Sequence, residues 1–314
     1  MYVKYVGNVV TGFAIILIVY KIKSYDLDYS AFMEPKMAAM LGLMLVAYTL
    51  NIISSTFPWK KMVEIVSGKE LPYITTVFVA VRSNLLKYLP GNVFQYIGKN
   101  ELAVKCSIGH AQVAFATLAD IMVMLTTAFA LGSIFVKDYL FEIVKNYLSL
   151  QNIIIIIIVG LICACIAAIC LTKRNIDIFE RIVKILKHPG NIKKFFLCVI
   201  YYIIQNIWVG GIYIIILGTV SGNNNEQIPI SLILGANIIS GVIGLLTPGA
   251  PGGLGIREVV MLIITKGIFS EPDIMLTSVV YRVLTIIGDG LAFLVVFFAI
   301  KLCNKNIFGS ELKL

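Results

Sequence analysis

The chain has 314 residues, of which 59% are hydrophobic and only 14% are charged, and its formal net charge is +9. Soluble globular proteins contain roughly 45–50% apolar and about 25% charged residues. The composition therefore predicts a polytopic integral membrane protein. The basic residues lie in short segments between apolar runs, as the positive-inside rule describes, so the net charge does not indicate nucleic acid as a partner.

Apolar segments long enough to cross a bilayer are predicted at 5–20, 37–57, 111–136, 152–172, 195–219 and 272–300. Two further apolar regions, 71–109 and 228–268, are each interrupted by proline and glycine. We predict an all-α polytopic membrane protein with six full spans plus two re-entrant helical hairpins, in an inverted-repeat arrangement. No polar stretch is long enough to fold separately, so residues 1–314 are expected to form a single transmembrane domain.

The distribution of lysine and arginine predicts the orientation. The loop 173–194 carries seven basic residues against two acidic ones, and a second basic loop is expected around Pro58–Glu70. Both loops should be cytoplasmic, and the first contains an amphipathic pattern suited to anionic lipids of the inner leaflet. With two re-entrant hairpins, both termini face the cytoplasm, and the hairpins enter from opposite sides. We expect a multi-pass protein of the cell membrane.

The second interruption, TPGAPGGLGIRE from Thr247 to Glu258, has two prolines and four glycines directly between apolar runs. Within lipid, non-helical backbone is tolerated only where protein buries it or where it lines a wet cavity. A helix that begins there presents unpaired N–H groups to an anion. The candidate binding residues are Gly252, Gly253, Gly255, Arg257 and Glu258. In the alternative interpretation Glu258 only caps the helix dipole and the glycines allow tight packing.

The first interruption has a similar order of residues. Leu89-Pro90-Gly91 is followed by Gly98, Lys99 and Glu101. The candidates here are Gly91, Lys99 and Glu101, with the same structural alternative. Transporters with inverted repeats have their substrate sites near the middle of the bilayer, and a phosphate, most naturally that of a phospholipid headgroup, is the ligand that such glycine-rich, basic helix starts suit.

Three charged residues, Asp120, Arg282 and Asp289, lie inside predicted spans. An unpaired charge there costs a few kcal/mol or more, so each should face the protein interior and find a partner. The expected pairs are Arg282 with Glu258 or Asp120, and Arg257 with Asp289 or Glu101. Such pairs either fix the hairpins or contact ligand, and both roles are compatible if the pairs open when substrate enters. No metal-binding, nucleotide-binding or catalytic motif is recognisable, so neither metal nor cofactor is expected.

The two interruptions resemble the transmembrane flippase-like domain of the lysylphosphatidylglycerol synthase family. The matching stretches are 86–95 with Gly98 and Lys99, and 251–258, together with Arg282; the resemblance extends over about residues 5–300. In that family the membrane domain moves lysylphosphatidylglycerol from the inner to the outer leaflet, and relatives are associated with antibiotic resistance. The resemblance adds Asn92 and Gln95 to the candidate substrate-binding residues.

The chain also departs from the family pattern. Asp120 stands where a family glutamate is expected, and Lys99 where members often have arginine, so the headgroup specificity is expected to differ. Full-length members carry a C-terminal synthase domain that uses lysyl-tRNA, and no such domain is expected here. Members without it are associated with glycolipid and polyprenyl-phosphate pathways.

The leading hypothesis is a lipid translocase for a phosphate-bearing lipid, either aminoacyl-phosphatidylglycerol-like or a polyprenyl-phosphate or glycolipid. The alternatives are an enzyme or membrane subunit of lipid modification, with a carboxylate as base or nucleophile, and a membrane anchor for a cytoplasmic transferase. Expected partners are the lipid itself, anionic inner-leaflet lipids at 173–194, a separate cytoplasmic synthase or glycosyltransferase, and a second copy of the chain.

Overall fold

The computed structural model describes residues 35–88, 94–106, 108–137, 139, 189–221, 229–247, 253 and 255–302. The predicted spans 5–20 and 152–172 and nearly all of the loop 173–194 lie outside these residues. The same holds for three of the candidate binding residues, Gly91, Asn92 and Gly252.

Most of the described residues lie in α-helices, and no β-strand occurs among them. The helices are α1 (Pro35–Ser54), α2 (Thr56–Ser67), α3 (Tyr73–Asn84), α4 (Phe94–Val104), α5 (His110–Phe135), α6 (Pro189–Val220), α7 (Ile230–Leu246), α8 (Ile256–Ile264) and α9 (Glu271–Leu302); a 3₁₀ turn, Leu85–Tyr88, follows α3. Four segments are long and apolar enough to cross a membrane: Pro35–Ser67, His110–Phe135, Gly190–Val220 and Glu271–Leu302. They coincide with four of the six predicted spans, and the prediction of an all-α membrane protein is confirmed.

The expected loop around Pro58–Glu70 is wrong for most of its length, because helix α2 occupies it as far as Ser67. Trp59, Met62 and Val63 follow helical i, i+3, i+4 spacing, and all three are buried against α5 and α6. The chain only turns slightly at Ser55 between α1 and α2. Gly68, with φ of +67°, ends α2, since glycine adopts this left-handed conformation without steric cost.

Helices α3 and α4 pack against each other on either side of the first interruption. Val77, Phe78 and Val81 of α3 form one apolar cluster with Ala292, Val296 and Ile300 in the second half of α9. Asn84, at the end of α3, is hydrogen bonded to Asp289. Helix α3 therefore runs antiparallel to α9. It begins near the C-terminal end of α9 and ends near the middle of α9.

Helices α7 and α8 pack against each other around the second interruption. Glu258, in the first turn of α8, contacts Arg282, whereas Ile264 at the end of α8 clusters with Ile274 near the start of α9. Helix α8 therefore runs from the middle of α9 back to its beginning. Arg282 and Asp289 are about 10 Å apart along the helix axis. Both helix pairs thus reach the central part of the 32-residue α9, from opposite ends.

One end of the molecule, which we call the lysine-rich end, is defined by Glu64 and the three lysines around it. Lys60 and Lys61 of α2 and Lys194 of α6 all form ion pairs with this carboxylate, at 3.0 Å for Lys61 and 3.4 Å for Lys194. The contact brings Lys194, from the basic loop 173–194, to the segment Pro58–Glu70. The far part of α6 lies at the opposite end, where Tyr213 and Ser278 are 3.0 Å apart.

Candidate functional site

Asp289 lies at the centre of the first polar cluster on α9. Its side chain is fully buried. The Lys87 Nζ is 2.6 Å from Oδ2, the Tyr88 hydroxyl donates to Oδ2 at 2.5 Å, and the Asn84 Nδ2 donates to Oδ1 at 2.9 Å. All three donors come from the end of α3 and the 3₁₀ turn after it. A single buried carboxylate therefore holds the end of the first hairpin limb against the middle of α9.

The second polar cluster joins α8 to α9. The Arg282 Nε donates to Glu258 Oε1 at 3.1 Å, and Glu258 is only 3% exposed. This is one of the two pairings expected for Arg282 from the sequence. Among the described residues, the buried Oε2 of Glu258 and the buried Nε of Arg257 have no hydrogen-bond partner. Because buried polar groups are nearly always satisfied, these two atoms suggest a place for a polar ligand.

Arg257 does not form the pair with Asp289 that the sequence suggested, because Lys87, Tyr88 and Asn84 already occupy that carboxylate. Its guanidinium instead lies near Glu258 and Arg282. Gly244 and Gly253 leave the space for it: a Cβ on either glycine would lie 3.1 Å from the Arg257 Nε. The glycines therefore admit a large cation between the two limbs of the second hairpin.

The two clusters together have an excess of positive charge. The three cations are Lys87, Arg257 and Arg282. The carboxylates of Asp289 and Glu258 neutralise two of them, which leaves one net positive charge. Since a buried charge is costly without a counter-ion, this excess favours an anionic ligand between the hairpin ends.

A third polar group lies closer to the lysine-rich end, between α2, α4, α5 and α6. The buried Asp120 accepts a hydrogen bond from the Tyr202 hydroxyl at 2.6 Å. The Lys99 Nζ lies over the ring of Trp59, 4.9 Å from its centroid, and Asp120 attracts it electrostatically. The Trp59 Nε1 donates to the Thr117 hydroxyl at 3.0 Å, which fixes the ring beneath the lysine.

A cavity of about 70 Å³ connects the third group with the first cluster. It is enclosed by the α1–α2 turn, the second half of α3 and the first turns of α4. Asn84, which holds Asp289, lines one side, and Gln95, Tyr96 and Lys99 line the other. Two of the predicted binding residues, Gln95 and Lys99, therefore share one polar cavity.

Not all of the predicted site residues come together. Arg257, Glu258 and Arg282 form one cluster, Asp289 another, and Asp120 and Lys99 the third group. Glu101 is exposed on α4, so the suggested pairing with Arg257 does not occur. Gly253 and Gly255 have φ of +73° and +82° and serve the turn into α8. The alternative interpretation, in which the glycines allow tight packing, also holds at Gly253, because a Cβ there would lie 2.9 Å from the Gly244 Cα.

Sequence reasoning missed several residues of the site, chiefly Tyr88 and Tyr202 on the carboxylates and Ser55, Thr56 and Ser83 around the cavity. A tyrosine within an apolar span is a weak signal, because aromatic residues are common there for other reasons. Pro58, three residues after the turn at Ser55, is the sequence signal at this bend, because proline is tolerated in the first turn of a helix.

Buried carboxylates, an excess of cations and a polar cavity thus lie close together among the apolar helices that the structure describes. The sequence matches no protein-family model and no curated protein, so the residues themselves have to support any assignment of function.

Proposed function

We propose that this protein is a lipid translocase of the cell membrane that moves the phosphate-bearing headgroup of a lipid between leaflets. The single observation that carries the proposal is the meeting of two broken helix pairs at the middle of α9, each held there by a buried ion pair, with one cation in excess. Polar residues so deep in an apolar bundle mark substrate pathways by default.

In the proposed topology the lysine-rich end faces the cytoplasm, as the positive-inside rule requires. The pair α3–α4 is then a re-entrant hairpin from the cytoplasmic side, and α7–α8 is one from the outside. With the two spans predicted at 5–20 and 152–172, the chain has six full spans and cytoplasmic termini. The opposite directions of α3 and α8 along α9 support this inverted-repeat arrangement.

The charges suggest how a headgroup would move. The excess cation is Arg257, and the phosphate would replace its weaker contacts. The Arg257 guanidinium offers the planar, two-donor geometry that phosphate prefers. The acyl chains would stay in the lipid while the headgroup passes beside α9. The resemblance to the flippase-like domain supports a lipid substrate, whether an aminoacyl-phosphatidylglycerol or a glycolipid or polyprenyl phosphate.

Arg257→Ala tests this proposal in vesicles reconstituted with acyl-labelled phosphatidylglycerol, where chemical quenching from outside reports the lipid that has reached the outer leaflet. We expect at least a tenfold loss of rate, because the variant removes a guanidinium whose buried Nε has no hydrogen-bond partner among the described residues. Arg257→Lys should keep part of the rate, since it keeps the charge but loses the two-donor geometry.

The control is Lys36→Gln, which removes an exposed lysine at the start of α1, away from both clusters. It should transport at the parent rate. Unchanged transport by a folded Arg257→Ala variant would eliminate the assignment of this site, and absence of transport by the parent chain for every phosphate-bearing lipid would eliminate the proposed function.

A further inference from the structure

The cavity between the α1–α2 turn and the first hairpin has a lining that specifies the chemistry of its occupant. Its volume of about 70 Å³ is room for about five water-sized groups, at roughly 10–15 Å³ each. A phosphate or a three-carbon polyol has this size. A whole lipid does not fit, so the cavity would accept only a headgroup.

The three aliphatic hydroxyl groups of the lining can only accept hydrogen bonds from an occupant. Ser55, Thr56 and Ser83 each donate their one hydroxyl proton to the backbone carbonyl three residues earlier, at 2.7, 2.9 and 3.0 Å. Asn84 donates one amide hydrogen to Asp289, which leaves its second amide hydrogen as a donor and its Oδ1 as an acceptor. The three hydroxyl oxygens therefore suit an occupant that brings several donors of its own, and Gln95 and Tyr96 on the facing side can donate to its acceptors.

Lys99 sets the charge of the occupant. It is the one charged side chain among the described residues that line the cavity, and its Nζ lies on the face of Trp59. Asp120 attracts it, but is itself engaged by Tyr202. An ammonium group in so small a space would be repelled by Lys99 and would meet no carboxylate in the lining, whereas a phosphate would be attracted.

We infer that this cavity binds a hydroxyl-rich, anionic headgroup, a polyol or sugar phosphate, and discriminates against headgroups that carry an amine. The hydroxyl groups donate to the oxygens of Thr56 and its neighbours, and the phosphate pairs with Lys99. The inference rests on the proposed function in that it names the headgroup class of the translocated lipid, but binding to the cavity can be measured without transport.

Trp59 provides a reporter, because it lies directly beneath Lys99 and the chain has only two tryptophans, Trp59 and Trp208. In a Trp208→Phe background, the fluorescence of the detergent-solubilised full chain is titrated with short-chain phosphatidylglycerol and with phosphatidylethanolamine of the same chain length. We expect a saturable change with phosphatidylglycerol and a dissociation constant at least tenfold higher for phosphatidylethanolamine.

Three variants test separately the two parts of the site, the cation Lys99 and the hydroxyl acceptors. Lys99→Gln should raise the dissociation constant for phosphatidylglycerol at least tenfold, and Lys99→Arg should restore part of the affinity. Thr56→Val removes an acceptor at nearly constant shape, so it should weaken phosphatidylglycerol severalfold and leave binding of inorganic phosphate unchanged. Lys36→Gln, at the far end of α1, should bind like the parent.

Glycerol 3-phosphate distinguishes a lipid headgroup from a soluble ester. If it binds as tightly as phosphatidylglycerol, the cavity chemistry holds and the site belongs to a soluble polyol phosphate. Equal binding of phosphatidylethanolamine, or parent-like binding by Lys99→Gln, overturns the inference. Loss of binding selectivity with transport intact would contradict the cavity assignment alone, and selective binding without any transport would contradict only the proposed function.

Discussion

At the scale of single residues, Asp289 is held by an unusually complete set of partners. Its fully buried carboxylate would be costly if it were ionised without partners, and it has three, all from the end of the first hairpin limb. Removing one member of a buried, hydrogen-bonded pair leaves the other charge uncompensated, which typically costs about 3–5 kcal/mol. Asp289 therefore determines how firmly the hairpin is held on α9.

Asp289→Asn should lower the free energy of unfolding by about 3–5 kcal/mol, because Lys87 then stays buried without a counter-charge. In the double variant Asp289→Asn/Lys87→Met, neither charge remains, so the loss should be clearly smaller than the sum of the two single losses. Unfolding of the purified protein in detergent by denaturant measures all three.

The matched control is Glu101→Gln, which removes an exposed carboxylate on the same hairpin and should change stability by less than about 0.5 kcal/mol. If the Asp289 and Lys87 substitutions add to within about 0.5 kcal/mol, the two side chains are not coupled and the assigned ion pair is wrong.

The sequence was informative about which charged residues need partners and much less so about which partners they have. Arg282 and Asp289 stand out because each interrupts an apolar span, and the pair of Arg282 with Glu258 was among the expected ones. Lys87 is not among the candidate residues that the sequence indicates. Its pairing with Asp289 depends on how α3 packs along α9, a tertiary contact between residues about two hundred positions apart that no local pattern encodes.

At the scale of elements, the glycines of the second hairpin have a role that depends on close approach as well as on φ. Gly253 and Gly267 both have positive φ, +73° and +81°. A Cβ on Gly253 would lie 2.9 Å from the Gly244 Cα, whereas a Cβ on Gly267 would meet nothing within 4 Å. The two positions therefore separate backbone strain from steric overlap.

Gly253→Ala should destabilise the protein by about 1–3 kcal/mol more than Gly267→Ala, because both substitutions strain the backbone but only the first also overpacks the two limbs. Thermal unfolding of the two variants side by side measures the difference. Gly253→Ala should also slow headgroup movement, since Arg257 occupies the same space. Equal stabilities would mean that the limbs separate easily and that their close contact has no energetic weight.

Element boundaries followed the sequence closely where proline and glycine interrupt apolar runs. The regions expected at 71–109 and 228–268 contain α3–α4 and α7–α8, which span Tyr73–Val104 and Ile230–Ile264. Helix α2 was not predicted, because the three lysines of Pro58–Glu70 suggested a solvated loop. The structure places two of those lysines on the buried Glu64 and packs Trp59 beneath the helix, which only the tertiary fold reveals.

At the scale of the whole molecule, α9 is the common partner of both hairpins. Helix α3 holds it from the lysine-rich end and α8 from the opposite end, and the two contacts, at Asp289 and Arg282, are about 10 Å apart. A movement of α9 relative to one hairpin must therefore strain the ion pair that joins α9 to that hairpin. In the proposed translocase, this shared helix would offer a physical means to open one side of the pathway while the other stays closed, as alternating access requires.

The proposed topology predicts which ends of the helices each face of the membrane exposes. In a variant without the six native cysteines, single cysteines are introduced at Glu70, after α2, and at Ser221 and Ser270, after α6 and before α9. A membrane-impermeant maleimide applied to intact cells should label the cysteines at 221 and 270. It should reach the one at 70 only after permeabilisation, because in the proposed topology the lysine-rich end faces the cytoplasm. Labelling of all three from one face would contradict the arrangement of α6 and α9 across the bilayer. Labelling of 70 alone in intact cells would reverse the orientation while leaving the opposed hairpins in place.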